Sequence, residues 1–333
     1  MRVVAWLAPG VLAVAVTASV FAEAPARSSQ DASGKGVLAR ANAALQAGEA
    51  DQALALLHSL PSPGEAEAHN LECRVLYTLE QWNRAVSECE QAVKMDGGNS
   101  DYHLWLARAL GEKASRASFL SAYSLAKQVR SEFEKAAQLN PRSPEALSDL
   151  GEFYYSAPGA VGGGTDKAER VAVQLDRVDA ARAHELRAHI AEERKDYGTA
   201  EREFKQSLAV SAHPAFEWMS LASFYRRRER LPELESAVQS GVNAVQRDRR
   251  SSAALYDGAA VLTSANRNSV LAAKMLEDYL ASPAKTEAAP AFVAHTRLAR
   301  LKDQLGDREA AQRERAAALA LAHDYRPAQD AKH

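Results

Sequence analysis

Three places in this 333-residue chain carry residue types that could do chemistry. The first is His184-Glu185-Leu186-Arg187-Ala188-His189. A zinc-dependent hydrolytic helix needs two histidines four residues apart, so that both imidazoles leave one face with a glutamate between them as base. Here the histidines are five apart, about 140° around a helix. Ala188 holds the position the second ligand would need, and no third ligand is evident, so no metal site is expected. The second place is Gly159-Ala160-Val161-Gly162-Gly163-Gly164-Thr165-Asp166-Lys167. A phosphate-binding loop needs lysine directly after its last glycine and a strand before its first. Thr165 and Asp166 intervene, the preceding residues read as helix, and an Asp166 helix cap would repel phosphate. The expected structure is a flexible turn between helices, protruding from the edge of the molecule. The third place is Cys73 and Cys89, the only cysteines. No Ser-His-Asp or Cys-His arrangement can be assembled, and no catalytic residue and no cofactor are expected.

The elements that would position these residues are helices. In Lys195 to Leu208 a tight turn leads into Ala200, Phe204 and Leu208, which recur every fourth residue and so share one helical face. Upstream, His184 to Arg194 is a second helix, with small Ala188 and Ala191 where two helices can approach closely. The same helix–turn–helix pattern is legible at Val37–Ala47 with Asp51–Leu60, Glu65–Leu79 with Asn83–Met95, and Pro214–Arg228 with Pro232–Val245. It recurs at Ser252–Ser264 with Ser269–Leu280 and at Ala291–Leu305 with Arg308–Leu321. Two units depart from it. Asp101–Ala114 with Phe119–Leu139 turns late and has a long second helix. Pro144–Tyr155 with Asp166–Leu175 expands its turn into the glycine-rich loop. Alternating strand patterns are nearly absent.

These residues resemble the tetratricopeptide repeat, a helical hairpin of about 34 residues. Ala188, Ala200 and Phe204 carry the likeness, as do Trp218, Leu221, Ala222 and Tyr225, and then Leu298, Ala299, Ala311 and Ala318. The resemblance spans nearly all of residues 35–323. It implies an all-α, right-handed solenoid of about eight hairpins, with first helices lining a concave groove and second helices outside. The likeness is to exported bacterial members of the family, which act as adaptors or assembly scaffolds. It therefore implies a non-enzymatic protein–protein interaction scaffold in the cell envelope. The alternative reading is an envelope hydrolase or the regulatory subunit of an envelope enzyme complex. Peptide-binding relatives grip a terminal carboxylate with a paired lysine and asparagine, and that pair is missing here.

Met1 to Ala22 reads as a signal peptide: Arg2, an apolar run over Val3–Val16, and a small residue at the end. Cleavage after Ala22 and a periplasmic location are expected; an uncleaved membrane anchor is the alternative. Residues 23–34 read as a flexible linker and 324–333 as a polar, frayed tail. The formal net charge of -2 argues against nucleic acid as partner. A protein or peptide partner is expected, without membrane insertion of the mature chain. The groove-facing residues of the first helices are Arg74 and Tyr77, Arg108 and Glu112, Glu152 and Tyr155. They continue with Glu185, His189 and Glu192, then Met219, Ser223, Arg226 and Arg227. That mixture suits an extended peptide or a partner helix. Cys73 and Cys89 fall almost symmetrically about the Gln81-Trp82 turn. They are either a disulfide, permitted by export, or two small buried thiols.

Overall fold

A computed structural model describes residues 34–60 and 65–330. The expected signal peptide 1–22 and the linker up to residue 33 lie outside the described residues. Among the described residues there are seventeen α-helices and no strand. Sixteen form eight consecutive antiparallel hairpins: α1 (Gly34–Ala47) with α2 (Ala50–His58), α3 (Ala66–Thr78) with α4 (Trp82–Met95), α5 (Ser100–Ser115) with α6 (Phe119–Leu139), and α7 (Pro144–Ser156) with α8 (Thr165–Leu175). The series continues with α9 (Ala180–Glu193) and α10 (Tyr197–Val210), α11 (Ala215–Arg227) and α12 (Leu231–Arg247), α13 (Ala253–Ser264) and α14 (Ser269–Ala281), α15 (Ala291–Gln304) and α16 (Arg308–Leu321). The architecture is a tetratricopeptide-like solenoid.

Small residues let the helices approach. Ala85, Ala136, Ala172, Ala200, Ala222 and Ala311 are fully buried at the helix contacts. Six of the eight hairpins turn by one device. Gly48, Glu80, Lys195, Glu229, Asn266 and Gly306 each adopt the left-handed conformation just after the first helix. In each, the next residue's N–H donates to the carbonyl five positions back at 2.9 Å, as Asp196 does to Ala191 and Gln81 to Leu76. This satisfies a helix-end carbonyl that would otherwise lack a partner. Asp196 and Asp307 then cap the second helix, each accepting at 3.0 Å from the backbone N–H three residues on.

The third and fourth hairpins lack this turn. The glycine-rich loop of the fourth is not the flexible segment expected of it. A 3-10 turn occupies Gly159–Val161, Gly164 N–H donates to Tyr154 O at 2.7 Å, and Lys167 Nζ donates to Gly162 O at 2.6 Å. The lysine is thus held by the loop's own backbone.

The stack curves until its ends meet. The turn of the first hairpin reaches the start of α15, where a side chain on Gly48 would put its Cβ 2.2 Å from Ala291 N. Leu38, Leu45, Ala50 and Leu57 share one core with Phe292, Ala318 and Tyr325. Residues 324–330, the described part of the expected polar tail, are correspondingly packed onto the solenoid and not frayed. Tyr325 is buried, donates to Glu80 Oε1 at 3.2 Å, and leads into α17 (Arg326–Gln329). Tyr325 and Ala328 supply an apolar face that the polar composition of this segment conceals.

Candidate functional site

The first helices of successive hairpins line the inner face, and their side chains are linked from one helix to the next. Arg74 on α3 and Arg108 on α5 lie over the Trp105 ring, 5.4 and 4.6 Å from its centroid. Tyr77 meets that ring edge-on. Arg108 Nε donates to Asp149 Oδ2 on α7 at 2.6 Å, and both side chains are buried. Tyr155 on α7 stacks on His189 of α9, with centroids 5.4 Å apart. Glu192 on α9 accepts from Arg227 of α11 at 3.0 and 2.6 Å, and Arg227 also donates to Ser223 Oγ. Ser220 Oγ donates to Glu185 at 2.5 Å. Two of these links join residues 35 apart, close to the repeat length, so equivalent positions in neighbouring repeats are meeting.

The electrostatics divide these groups. Burial alone would raise Glu192, but hydrogen bonds from His189 and Arg227 outweigh it and bring the carboxyl down to about 2. The Glu152 side chain makes no hydrogen bond or ion pair among the described residues. Burial, with added repulsion from Asp149 and Glu185, pushes it up to about 7 against the opposing charges of His189 and Arg108. Asp257 on α13 behaves alike, raised by burial to about 7 despite Arg297. Burial and the Glu152 charge hold Tyr155 well above the usual phenol range. The inner face therefore combines tightly paired charges with acids and hydroxyls that have no partner among the described residues.

Of the residues expected to face a groove, Tyr155, His189, Glu192, Ser223 and Arg227 are brought into one network, and Glu185 pairs separately with Ser220. Arg74, Tyr77 and Arg108 meet around Trp105. Glu152 stands between the two groups. Glu112 lies farther out and pairs with Arg116 at 2.7 Å. Arg226 is half-buried and has no ion-pair partner among the described residues. Met219 does not line the groove. It is fully buried against Gly241 and Gly258, because those glycines leave a space between α11, α12 and α13 that its flexible side chain fills. Arg108, expected to face the groove for a partner, is instead a buried ion-pair member. The structure also joins Cys73 to Cys89 in a disulfide between α3 and α4, with Cα atoms 5.3 Å apart.

Sequence reading passed over Asp149, Ser220, Asp257 and Glu287. Ser220 was accessible through its 35-residue spacing from Glu185. Glu287 was not, since its partners Gln46 and Arg74 lie at the far end of the chain. Three of the nine histidines follow a rule. His69, His184 and His295 each bond a glutamate 19 residues on, at 2.6 to 2.7 Å, tying the two helices of one hairpin together.

The sequence model of the family described as Regulator of microtubule dynamics protein 1-3 matches residues 72–158, from the second hairpin into the turn of the fourth. No curated protein sequence matches the chain. Among solved structures, the chain is similar to TTC0263, a thermophilic tetratricopeptide protein of Thermus thermophilus. Identity is 19%, coverage 58% of this chain and 98% of that one, and the TM-score 0.49. It is also similar to MamA, at 12% identity, coverage of 53% and 95%, and a TM-score of 0.34.

Proposed function

We propose that this protein is a non-enzymatic interaction scaffold of the cell envelope that holds an extended peptide or a partner helix against its inner face. Solenoids of helical hairpins present long concave surfaces suited to protein partners. The observation that carries the reading is the set of inner-face groups without partners among the described residues: the carboxyl of Glu152, the hydroxyls of Tyr77 and Tyr155, and the guanidinium of Arg226. Aromatic rings beside hydrogen-bonding and charged groups suit peptide recognition. The apolar run at residues 3–16 supports the envelope location.

A photo-crosslinking residue placed at Tyr155 or Arg226 tests the surface, with Arg202 and Lys205 on the second helix α10 as outer controls. Cross-links to a polypeptide partner are expected from the inner positions alone. Cross-links confined to the outer positions would move the working surface to the convex side. Sequencing the N-terminus of protein from its native host tests export, with a chain beginning at Glu23 as the expected result.

A further inference from the structure

The two hairpins that break the repeat pattern touch each other. Tyr123 on the overlong α6 donates to Ala160 O at 3.3 Å, and Arg130 Nη1 lies 3.4 Å from Val161 O. Gly162 leaves the space Arg130 needs, since a Cβ there would fall 2.0 Å from Nη1. The first turn of α6 and the glycine-rich loop are thus one composite knob. It carries the two adjacent side chains Phe119 and Leu120, 65% and 81% exposed, with Tyr123 at 41%. These exceed what scattered surface apolar residues require.

From Lys113 to Arg130 the sequence holds four cations and no carboxylate, in a chain whose net charge is -2; Arg116 and Arg130 pair with Glu112 and Glu134 just outside that stretch, which leaves the two lysines. Lys113 and Lys127 have no carboxylate partner among the described residues; Lys127 sits 4.5 Å from the Tyr123 ring centroid. Ser118, at the N-cap of α6, accepts no backbone N–H of the helix; its hydroxyl donates to Ser121 Oγ at 3.2 Å, so the backbone donors of the positive helix end stay open.

We propose that this knob docks on an anionic lipid surface, with Phe119 and Leu120 entering the acyl boundary and Lys113 and Lys127 facing the headgroups. An aromatic and an aliphatic tip, a tyrosine at its rim and lysines behind it are what such a boundary selects. No described helix is long and apolar enough to cross a membrane, so the contact is shallow and peripheral.

The test is sedimentation of the full chain with vesicles of neutral phosphatidylcholine, with and without phosphatidylglycerol. Any contribution of the N-terminal apolar run is common to all variants and cancels in the comparison. Against wild type, F119S/L120D is expected to lower partitioning onto the anionic vesicles about tenfold, the scale of one buried leucine side chain. K113E/K127E is expected to lower it by a similar factor at low salt and by little at high salt. V270D, at a 66% exposed position on α14, should change nothing. If wild type and F119S/L120D sediment equally, or V270D weakens binding as much, the proposal is wrong. Equal sedimentation with loss of a protein partner in F119S/L120D would assign the knob to protein docking.

Discussion

The closure of the solenoid makes a sharp prediction at Glu287. This residue lies in the connection between α14 and α15 and is buried. It accepts from Arg74 on α3 at 2.9 and 2.7 Å and from Gln46 on α1 at 3.1 Å. The side chains of Arg74 and Glu287 are only 17% and 7% exposed, so the pair is shielded from solvent and salt. Glu287→Ala leaves a half-buried guanidinium and a half-buried amide together without this carboxylate, at a cost of roughly 3 kcal/mol. Two charge-assisted hydrogen bonds give a coupling of about 1.5–3 kcal/mol in a double-mutant cycle with Arg74→Ala. Because α1 and α2 share their core with Phe292, Ala318 and Tyr325 across the seam, that loss should appear first as local opening there. Hydrogen exchange should quicken in residues 34–60 and in α15, with the middle hairpins unchanged, and small-angle scattering should show expansion. A coupling below about 0.5 kcal/mol, with unaltered exchange in α1 and α2, would show that apolar contact alone closes the solenoid.

Arg108→Glu sets a carboxylate beside buried Asp149 and should destabilise by several kcal/mol (about 3–5 for a broken buried pair), whereas Arg226→Glu should shift the denaturation midpoint little; equal effects would refute the assignment of Arg108 to the interior. Glu152 has a folded-state pKa raised above its unfolded value, to about 7, so its contribution is fully present below the unfolded pKa and declines as pH rises through about 7. Glu152→Gln should therefore flatten the loss of stability between about pH 5 and pH 8, by up to roughly 3 kcal/mol at the alkaline end, as read by urea denaturation at each pH. Unreduced, denatured protein should show no free thiol, and Cys73→Ser/Cys89→Ser should lose about 3 kcal/mol.

What the sequence determined by itself is local and periodic. Ala200, Phe204 and Leu208 specify one helix face at any position in space, and small residues recurring in register specify that hairpins stack. Eight hairpins and their approximate bounds follow from that alone, as do the two irregular units. The turn at Lys195-Asp196 was legible as a turn, though its left-handed residue is lysine where glycine would have signalled it.

Only the tertiary structure decided how far the stack curves. Curvature is the sum of small rotations between hairpins, none of which has a sequence signature. It brings Gly48 to Ala291 and Arg74 to Glu287, contacts between residues hundreds of positions apart. The same summation made the inner face narrow enough for Arg108 to find Asp149 and for Glu152 to be crowded by Asp149 and Glu185, while helical periodicity reports only direction. Met219 shows the limit most plainly. Its spacing aimed it inward, but the absent side chains of Gly241 and Gly258, on two other helices, opened the space that took it into the core.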